Sequence, residues 1–316
     1  MLLSHMTWFS AGTLPTPLDW TIAMRVFITG ASGWIGTALT TELIAAGHEV
    51  VGLARSAESA AKIVAAGGTA VLGDMQDHDL IVSEAERSDA VAHLAFTLDF
   101  SEFEETVDNE VELIGKIGAA LEGSGKAFIA ASGTPIVFGQ VVTEEDVLDP
   151  EGPAGARSRT AAAVLALSER GIRSGLVRMP RSVHGEGDRN GLIAALVGLD
   201  RQLGTAAFIG DGENRWPAVH ISDAGRLFLL AIEKAPAGAV LHAVGEEGVR
   251  MREVAEVISA KTGLPTAAVD PEPLGVFGAL LGGDQPATSA VTRKLVGWEP
   301  TGPTLLEDLE AGHYTS

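Results

Sequence analysis

Three features of the 316-residue chain predict an α/β fold, a doubly wound parallel sheet with a smaller C-terminal substrate-binding lobe. Short β-branched runs alternate with Ala-rich amphipathic stretches, the strand-like runs are apolar along nearly their whole length, and a glycine-rich turn joins the first run to the first amphipathic stretch. Strands alternating with helices of about 10–15 residues mark βαβ units, and strands without a polar face mark a parallel sheet covered on both sides.

The elements follow in order. "RVFITG" is the first strand and Trp34 to Ala46 the first helix; "HEVVGLA" leads to a helix near Ala57 to Ala66, and "TAVLGD" to one around Asp77 to Glu86. "DAVAHLAF" precedes a long helix ending near Glu122, "KAFIAAS" is the fifth strand, and a helix over Thr160 to Arg170 leads into "IRSGLVRMP". Beyond Pro180 glycines cluster in "HGEGDRNG" and "IGDGENRW", helices are expected at Gly191 to Leu203, Ser222 to Glu233, Met251 to Thr262 and Thr304 to Gly312, and strands become few. This divides the chain into an extension over 1–23, a sheet domain over 24–180 and a C-terminal lobe over 181–316, partly interleaved with that domain. The lobe is expected to cap the carboxyl edge of the sheet, where ligands of open α/β sheets bind.

Composition narrows the function. With 46% apolar residues, 20% charged residues and no Cys, the chain describes a soluble globular protein without disulfides, thiolate nucleophiles or Cys-ligated metals. Its eight His show no metal-ligand spacing. A formal net charge of −20 repels phosphate backbones and anionic membranes, which leaves a small-molecule substrate or a protein as partner and disfavours nucleic acid. Residues 1–23 carry no Lys or Arg and are broken by Pro15 and Pro17, unlike a signal peptide, and read as a disordered or loosely docked extension, with Met24 an alternative start. No run is long enough to span a bilayer, so a cytoplasmic protein is expected, and a homodimer is left open.

"TGASGWIG" sets Gly30, Gly33 and Gly36 between the first strand and first helix. At that spacing the first glycine permits the tight turn, the second lets backbone approach a pyrophosphate, and the third lets the helix pack on the strand with its N–H groups facing the anion. Around this loop the sequence resembles the extended short-chain dehydrogenase/reductase family, the NAD(P)-dependent epimerases, dehydratases and reductases. The resemblance runs from about Arg25 to Leu309 and rests on motifs in the family's order: "TGASGWIG", "GDMQD", "AHLAF", "RMPRSVHGEGD" and "PAVHISDAGRL". It implies cofactor contacts from Ser32, Trp34 and Ile35 of the loop. It also implies that Asp74, followed by Met75, meets the adenine amino group, and that Leu94, Ala95 and Pro180 line the cofactor. "GLARS" ends the second strand with Ala54, Arg55 and Ser56 where an acidic residue would select NAD; Arg55 suits a 2′-phosphate, so NADP is expected over NAD.

The family's chemistry uses a Ser/Thr after the fifth strand and a Tyr-x-x-x-Lys pair. "ASGTPIVFG" aligns Thr134 with the Ser/Thr, but "GARSR" puts Gly155 where Tyr is expected and Arg159 where Lys is expected. The only tyrosine is Tyr314, and no Lys lies between Lys126 and Lys234. Gly donates no proton and Arg does not release one at neutral pH. Arg159 is then expected to hold ribose hydroxyls or an anionic substrate. His184, in the place of the tyrosine of the family's VYG segment, is expected at the mouth of the cleft as a substitute proton donor, or as an ordinary hydrogen-bonded loop histidine. His93, inside a strand, reads as a core residue, and His220 as ordering the lobe junction with Asp223. Asp146, Asp149 and Glu151 read as a solvated acidic loop. The apolar "EPLGVFGALLGGDQPATS" is consistent equally with an uncharged substrate and with a core or interface helix.

These readings point to an NADP(H)-dependent oxidoreductase acting on a small carbonyl or activated double bond, with Thr134 polarising the acceptor oxygen and His184 or water supplying the proton. The alternatives are a cofactor-binding sensor that has lost its chemistry and, third, an epimerase or dehydratase.

Overall fold

The computed structural model describes residues 22–96, 103–150 and 155–315. The expectation for the N-terminal extension therefore falls almost wholly outside the described residues, as does Glu151. Among the described residues no helix is long and apolar enough to cross a membrane.

The first half of the chain alternates strand and helix. β1 (Arg25–Thr29), α1 (Trp34–Ala45), β2 (Glu49–Ala54), α2 (Ala57–Ala65), β3 (Thr69–Leu72), α3 (His78–Arg87) and β4 (Ala90–His93) come first. α4 (Phe103–Ala120), β5 (Ala127–Gly133), α5 (Ala156–Ala166) and β6 (Arg173–Met179) complete it. The C-terminal half holds β7 (Ser182–His184), α6 (Leu192–Leu203), β8 (Ala206–Ile209), β9 (Arg215–His220), α7 (Ile221–Lys234), β10 (Ala239–His242) and β11 (Glu246–Arg250). α8 (Met251–Thr262), β12 (Thr266–Val269), α9 (Gly275–Gly282), α10 (Ala290–Val296) and α11 (Leu305–Ala311) close the chain.

Seven parallel strands form the main sheet in the order β10-β6-β5-β4-β1-β2-β3. The chain moves outward from β1 through β2 to β3 and then returns to β4 on the other side of β1, so the crevice beyond the carboxyl ends of β1 and β4 is the topological switch point. Strands buried on both faces explain the apolar runs: Val26, Phe27 and Ile28 of β1 and Phe128 and Ile129 of β5 are all buried. One face packs against α1 and α7, with Leu39, Leu43, Leu227, Phe228 and Trp298 in the core; the other packs against α3, α4 and α5 through Ile81, Leu113, Ile117 and Val164.

The C-terminal half contains six strands, correcting the expectation of few. β10 returns to the main sheet beside β6, β11-β9-β7 form a three-stranded sheet, and β12 pairs with β8. A separate core around Trp216, Phe208, Leu196, Ile258 and Leu309 holds the lobe together. The chain after α9 returns to the segment following β5: Gly139 N donates to Asp284 O at 2.8 Å and Val142 N to Pro286 O at 3.0 Å. That crossing brings the lobe to the carboxyl edge of the sheet.

Candidate functional site

The glycine loop is built as a phosphate cradle. Gly30 adopts φ +75°, and a Cβ there would lie 2.7 Å from the Ala95 nitrogen, so only glycine lets β1 turn against the chain after β4. A Cβ on Gly36 would lie 2.1 Å from the Gly30 carbonyl oxygen, which closes the helix onto the turn. Gly33 is exposed and would meet only the Gly30 oxygen, at 3.2 Å, so the outer face of the loop is open. α1 starts from Gly33 with no side chain capping its first N–H groups, which suits an anion at the positive end of the helix. Half-buried Ser32 and Ile35 flank this N-terminus, and Trp34 reaches across to donate from Nε1 to Val183 O at 3.3 Å.

The remaining predicted cofactor residues distribute along the same edge. Leu94 and Ala95 are half-buried and hang from β1, Leu94 N donating to Thr29 O at 3.1 Å and Ala95 N to Thr29 Oγ1 at 3.3 Å. Arg55 follows β2, is exposed and pairs with no described residue, while Ser56 beside it caps α2 by accepting from Ser59 N at 3.1 Å. Asp74 is exposed after β3, with Oδ1 accepting from Gln76 N at 2.7 Å; Met75 packs on the core below. Pro180 is buried at the end of β6. These positions could hold a nicotinamide dinucleotide, with the glycine loop suited to its pyrophosphate.

At the β5 end, Thr134 is 3% exposed, and its N–H donates to Met179 O at 2.9 Å. Its hydroxyl oxygen accepts from Nη2 of Arg181 at 3.1 Å, and its carbonyl accepts from the same nitrogen. Burial pushes the Arg181 guanidinium down to about 10, with no carboxylate among the described residues to offset it. The motif reading missed Arg181, although it stands in the quoted segment next to Pro180.

Where the tyrosine and lysine were expected, the structure holds a different pair. Arg157 in the first turn of α5 donates to Glu110 of α4 at 2.5 Å and to Ala131 O at 3.3 Å, and its guanidinium lies 4.0 Å above the Phe96 ring. Glu110 is buried and also meets His93 Nε2 at 3.3 Å and Thr160 Oγ1 at 3.2 Å. Burial alone would raise the Glu110 carboxyl, but His93, Arg157 and Thr160 outweigh it and hold the carboxyl below its ordinary value. His93 joins the chain of contacts to Thr29 Oγ1 at 3.0 Å and is a core residue, as expected.

Two predicted placements are corrected. Arg159 does not face the cleft: it is exposed and binds Asp108 at 2.7 Å and Glu104 at 2.5 Å on the outer side of α4, so its charge is committed to the surface. His184 is not at the mouth of the cleft. It is fully buried in β7, its Nδ1 2.6 Å from Asp308 of α11 and its Nε2 sealed without a hydrogen-bond partner, because the lobe closes over it. Tyr314 lies beside it, with its hydroxyl donating to Asp188 Oδ2 and accepting from Gly185 N, both at 3.1 Å. Burial raises the Tyr314 phenol well above its ordinary value, and that tyrosine is a structural clasp. His220 caps α7 through Ser222, while Asp223 accepts from Thr301 N and Gly302 N.

Comparison with known proteins accords with this geometry. The chain is 37% identical over 295 residues to an uncharacterized protein of Schizosaccharomyces pombe, covering 92% of this chain and 100% of that protein. It is 26% identical over 258 residues to 2-alkyl-3-oxoalkanoate reductase of Stenotrophomonas maltophilia, covering 77% of each. The solved structure of MoeE5 in complex with UDP-glucose and NAD shares the fold, with a TM-score of 0.71 at 24% identity over 90% of this chain and 96% of that one. The family described as NAD dependent epimerase/dehydratase matches residues 26–244. With its glycine cradle, switch point and ordered motifs, the chain belongs to the NAD-dependent epimerase/dehydratase family of the extended short-chain dehydrogenase/reductases, enzymes that bind a nicotinamide dinucleotide.

Proposed function

We propose that this protein is an NADP(H)-dependent oxidoreductase that reduces a small carbonyl without a catalytic tyrosine, using Thr134 as the electrophilic donor. The observation that carries the reading is the contact of Arg181 with the Thr134 hydroxyl oxygen at 3.1 Å. With that oxygen accepting from a guanidinium, the hydroxyl proton is free for the substrate oxygen, and the nearby cation stabilises negative charge that develops there. A nicotinamide dinucleotide held on the Gly30–Gly36 loop would supply the hydride for the carbonyl carbon. Thr134 holds the developing alkoxide, and water supplies its proton; burial of His184 against Asp308 favours water as that source. Arg157 and Glu110 stand in the region of the missing pair and tie the first turn of α5 to the middle of α4 and the end of β5.

Arg55, free of a carboxylate partner, supports NADP over NAD through a pairing with the 2′-phosphate. A relative named as a reductase supports the reductive direction. The test is NADPH consumption against a panel of aldehydes and ketones. Thr134→Val is expected to lower the rate by roughly 10²- to 10³-fold with NADPH binding kept. An unchanged rate in Thr134→Val would remove the hydroxyl from the chemistry.

A further inference from the structure

The buried and half-buried arginines of α5, of β6 and of the segment just after β6 are neutralised in different ways, and one is not. Arg157 has the Glu110 carboxylate at 2.5 Å. Arg178 donates to Asp146 O at 2.7 Å and feels the charges of Asp146 and Glu144. Arg173 donates to three carbonyls, Ala231 O, Ile232 O and Ala235 O, at the negative end of α7. Arg181 uses only Nη2, and both of its acceptors are on Thr134. Its Nε is sealed from solvent without an acceptor, its Nη1 is also without an acceptor among the described residues, and the residue as a whole is only half-buried. A desolvated guanidinium that keeps one nitrogen free to donate can receive an anion at that nitrogen.

Resting on the reading of Thr134 above, we infer that Arg181 receives the carboxylate of the substrate, so that the preferred substrate is a 2-oxo acid. One distance sets the class. Nη2 of Arg181 is 3.1 Å from the Thr134 hydroxyl oxygen, so an anion on the guanidinium and a carbonyl on the hydroxyl must be adjacent groups of one molecule. A carboxylate bonded directly to the carbonyl carbon meets that requirement. The reaction is 2-oxo acid plus NADPH plus a proton giving 2-hydroxy acid plus NADP⁺: the carbonyl carbon gains the hydride, its oxygen gains the proton, and the carboxylate is unchanged. The carboxylate also supplies the countercharge that Arg181 lacks among the described residues.

The probe is oxamate, a non-reducible 2-oxo acid analogue, compared with its neutral counterpart oxamide by calorimetric titration of the intact protein with and without NADP⁺. Oxamate is expected to bind roughly 10- to 100-fold tighter than oxamide, as a charge-assisted pair on a desolvated site requires. Arg181→Met is expected to remove that advantage while oxamide and NADP⁺ bind as before, and Arg181→Lys to restore part of it. Equal binding of oxamate and oxamide by the unaltered protein, which needs no variant to fold, overturns the inference. So does an Arg181→Met protein whose loss falls on NADP⁺ affinity, since the guanidinium would then serve a cofactor phosphate. If NADP⁺ itself does not bind, the cofactor reading fails separately, and the arm without NADP⁺ still decides whether Arg181 selects the carboxylate.

Discussion

Arg157 and Arg159 lie two positions apart in the first turn of α5 and do opposite work. At about 100° per residue they point roughly 200° apart, so when one faces the sheet the other must face solvent. Spacing within a motif assigns Arg159 to the lysine's place, whereas the helix turns Arg157 inward to Glu110, a partner 47 residues away. The absence of the tyrosine was legible by counting; its replacement was not, because the ion pair and the Arg181 contact, also 47 residues apart, exist only after β5, β6 and α4 are assembled. Arg55 is the opposite case, a side chain whose role rests on local position after β2. Replacing it with Ala is expected to reduce NADPH affinity by roughly tenfold or more and leave NADH affinity nearly unchanged, as the loss of one charge-assisted phosphate contact implies. Competitive titration of the two cofactors checks this, and a parallel fall for both would remove Arg55 from phosphate selection.

At the scale of elements, the six leading strands were legible because each contains a run of apolar residues between helical stretches, and β7, β8, β11 and β12 were not. "SVH", "AAFI", "EEGVR" and "TAAV" are short and rich in Ala or polar residues, and they become strands through pairing with neighbours rather than through their own propensity. α5 begins at Ala156, four residues before the expected Thr160, since Arg157 is anchored to α4. That junction is open to test. Glu110→Gln leaves the Arg157 charge buried without its carboxylate and is expected to destabilise the fold by about 3–5 kcal/mol in denaturant unfolding. A double variant with Arg157→Met should lose less than the two single losses together, because the orphaned charge is gone.

α6 offers a second test through pH. Asp200 is fully buried, with Oδ1 accepting from Ala207 N at 3.0 Å and Oδ2 without a partner. Burial raises its carboxyl to about 6 from 3.8, so the folded state holds the proton more tightly than the unfolded chain does. Its favourable contribution is present below pH 3.8 and is lost as pH rises to about 6. Asp200→Asn keeps the acceptor and removes the charge. Its Tm relative to the unaltered protein is expected to be higher near pH 7 than near pH 4, and an equal difference at the two pH values would contradict the assignment.

Over the whole molecule, two features combine: a sheet whose switch point presents a phosphate cradle, and a lobe that returns β10 to that sheet and closes over His184. The alternation of elements made the first feature legible along the chain. The second depends on contacts such as His184 with Asp308, 124 residues apart, and no local pattern announces it. That closure turned a histidine expected at a cleft mouth into a buried one, and for that reason the proposed chemistry rests on Thr134, Arg181 and water. The net charge of −20 is spread over a chain in which Arg181 remains without a carboxylate among the described residues, and this contrast gives the site its sign. Label transfer distinguishes the proposed net reduction from isomerisation most directly. NADPH deuterated at its transferable position is incubated with the protein and a carbonyl substrate, and the product is weighed by mass spectrometry. One deuterium on the carbinol carbon for each NADPH consumed is the predicted result; an unlabelled isomer of the substrate formed with no loss of NADPH would contradict it.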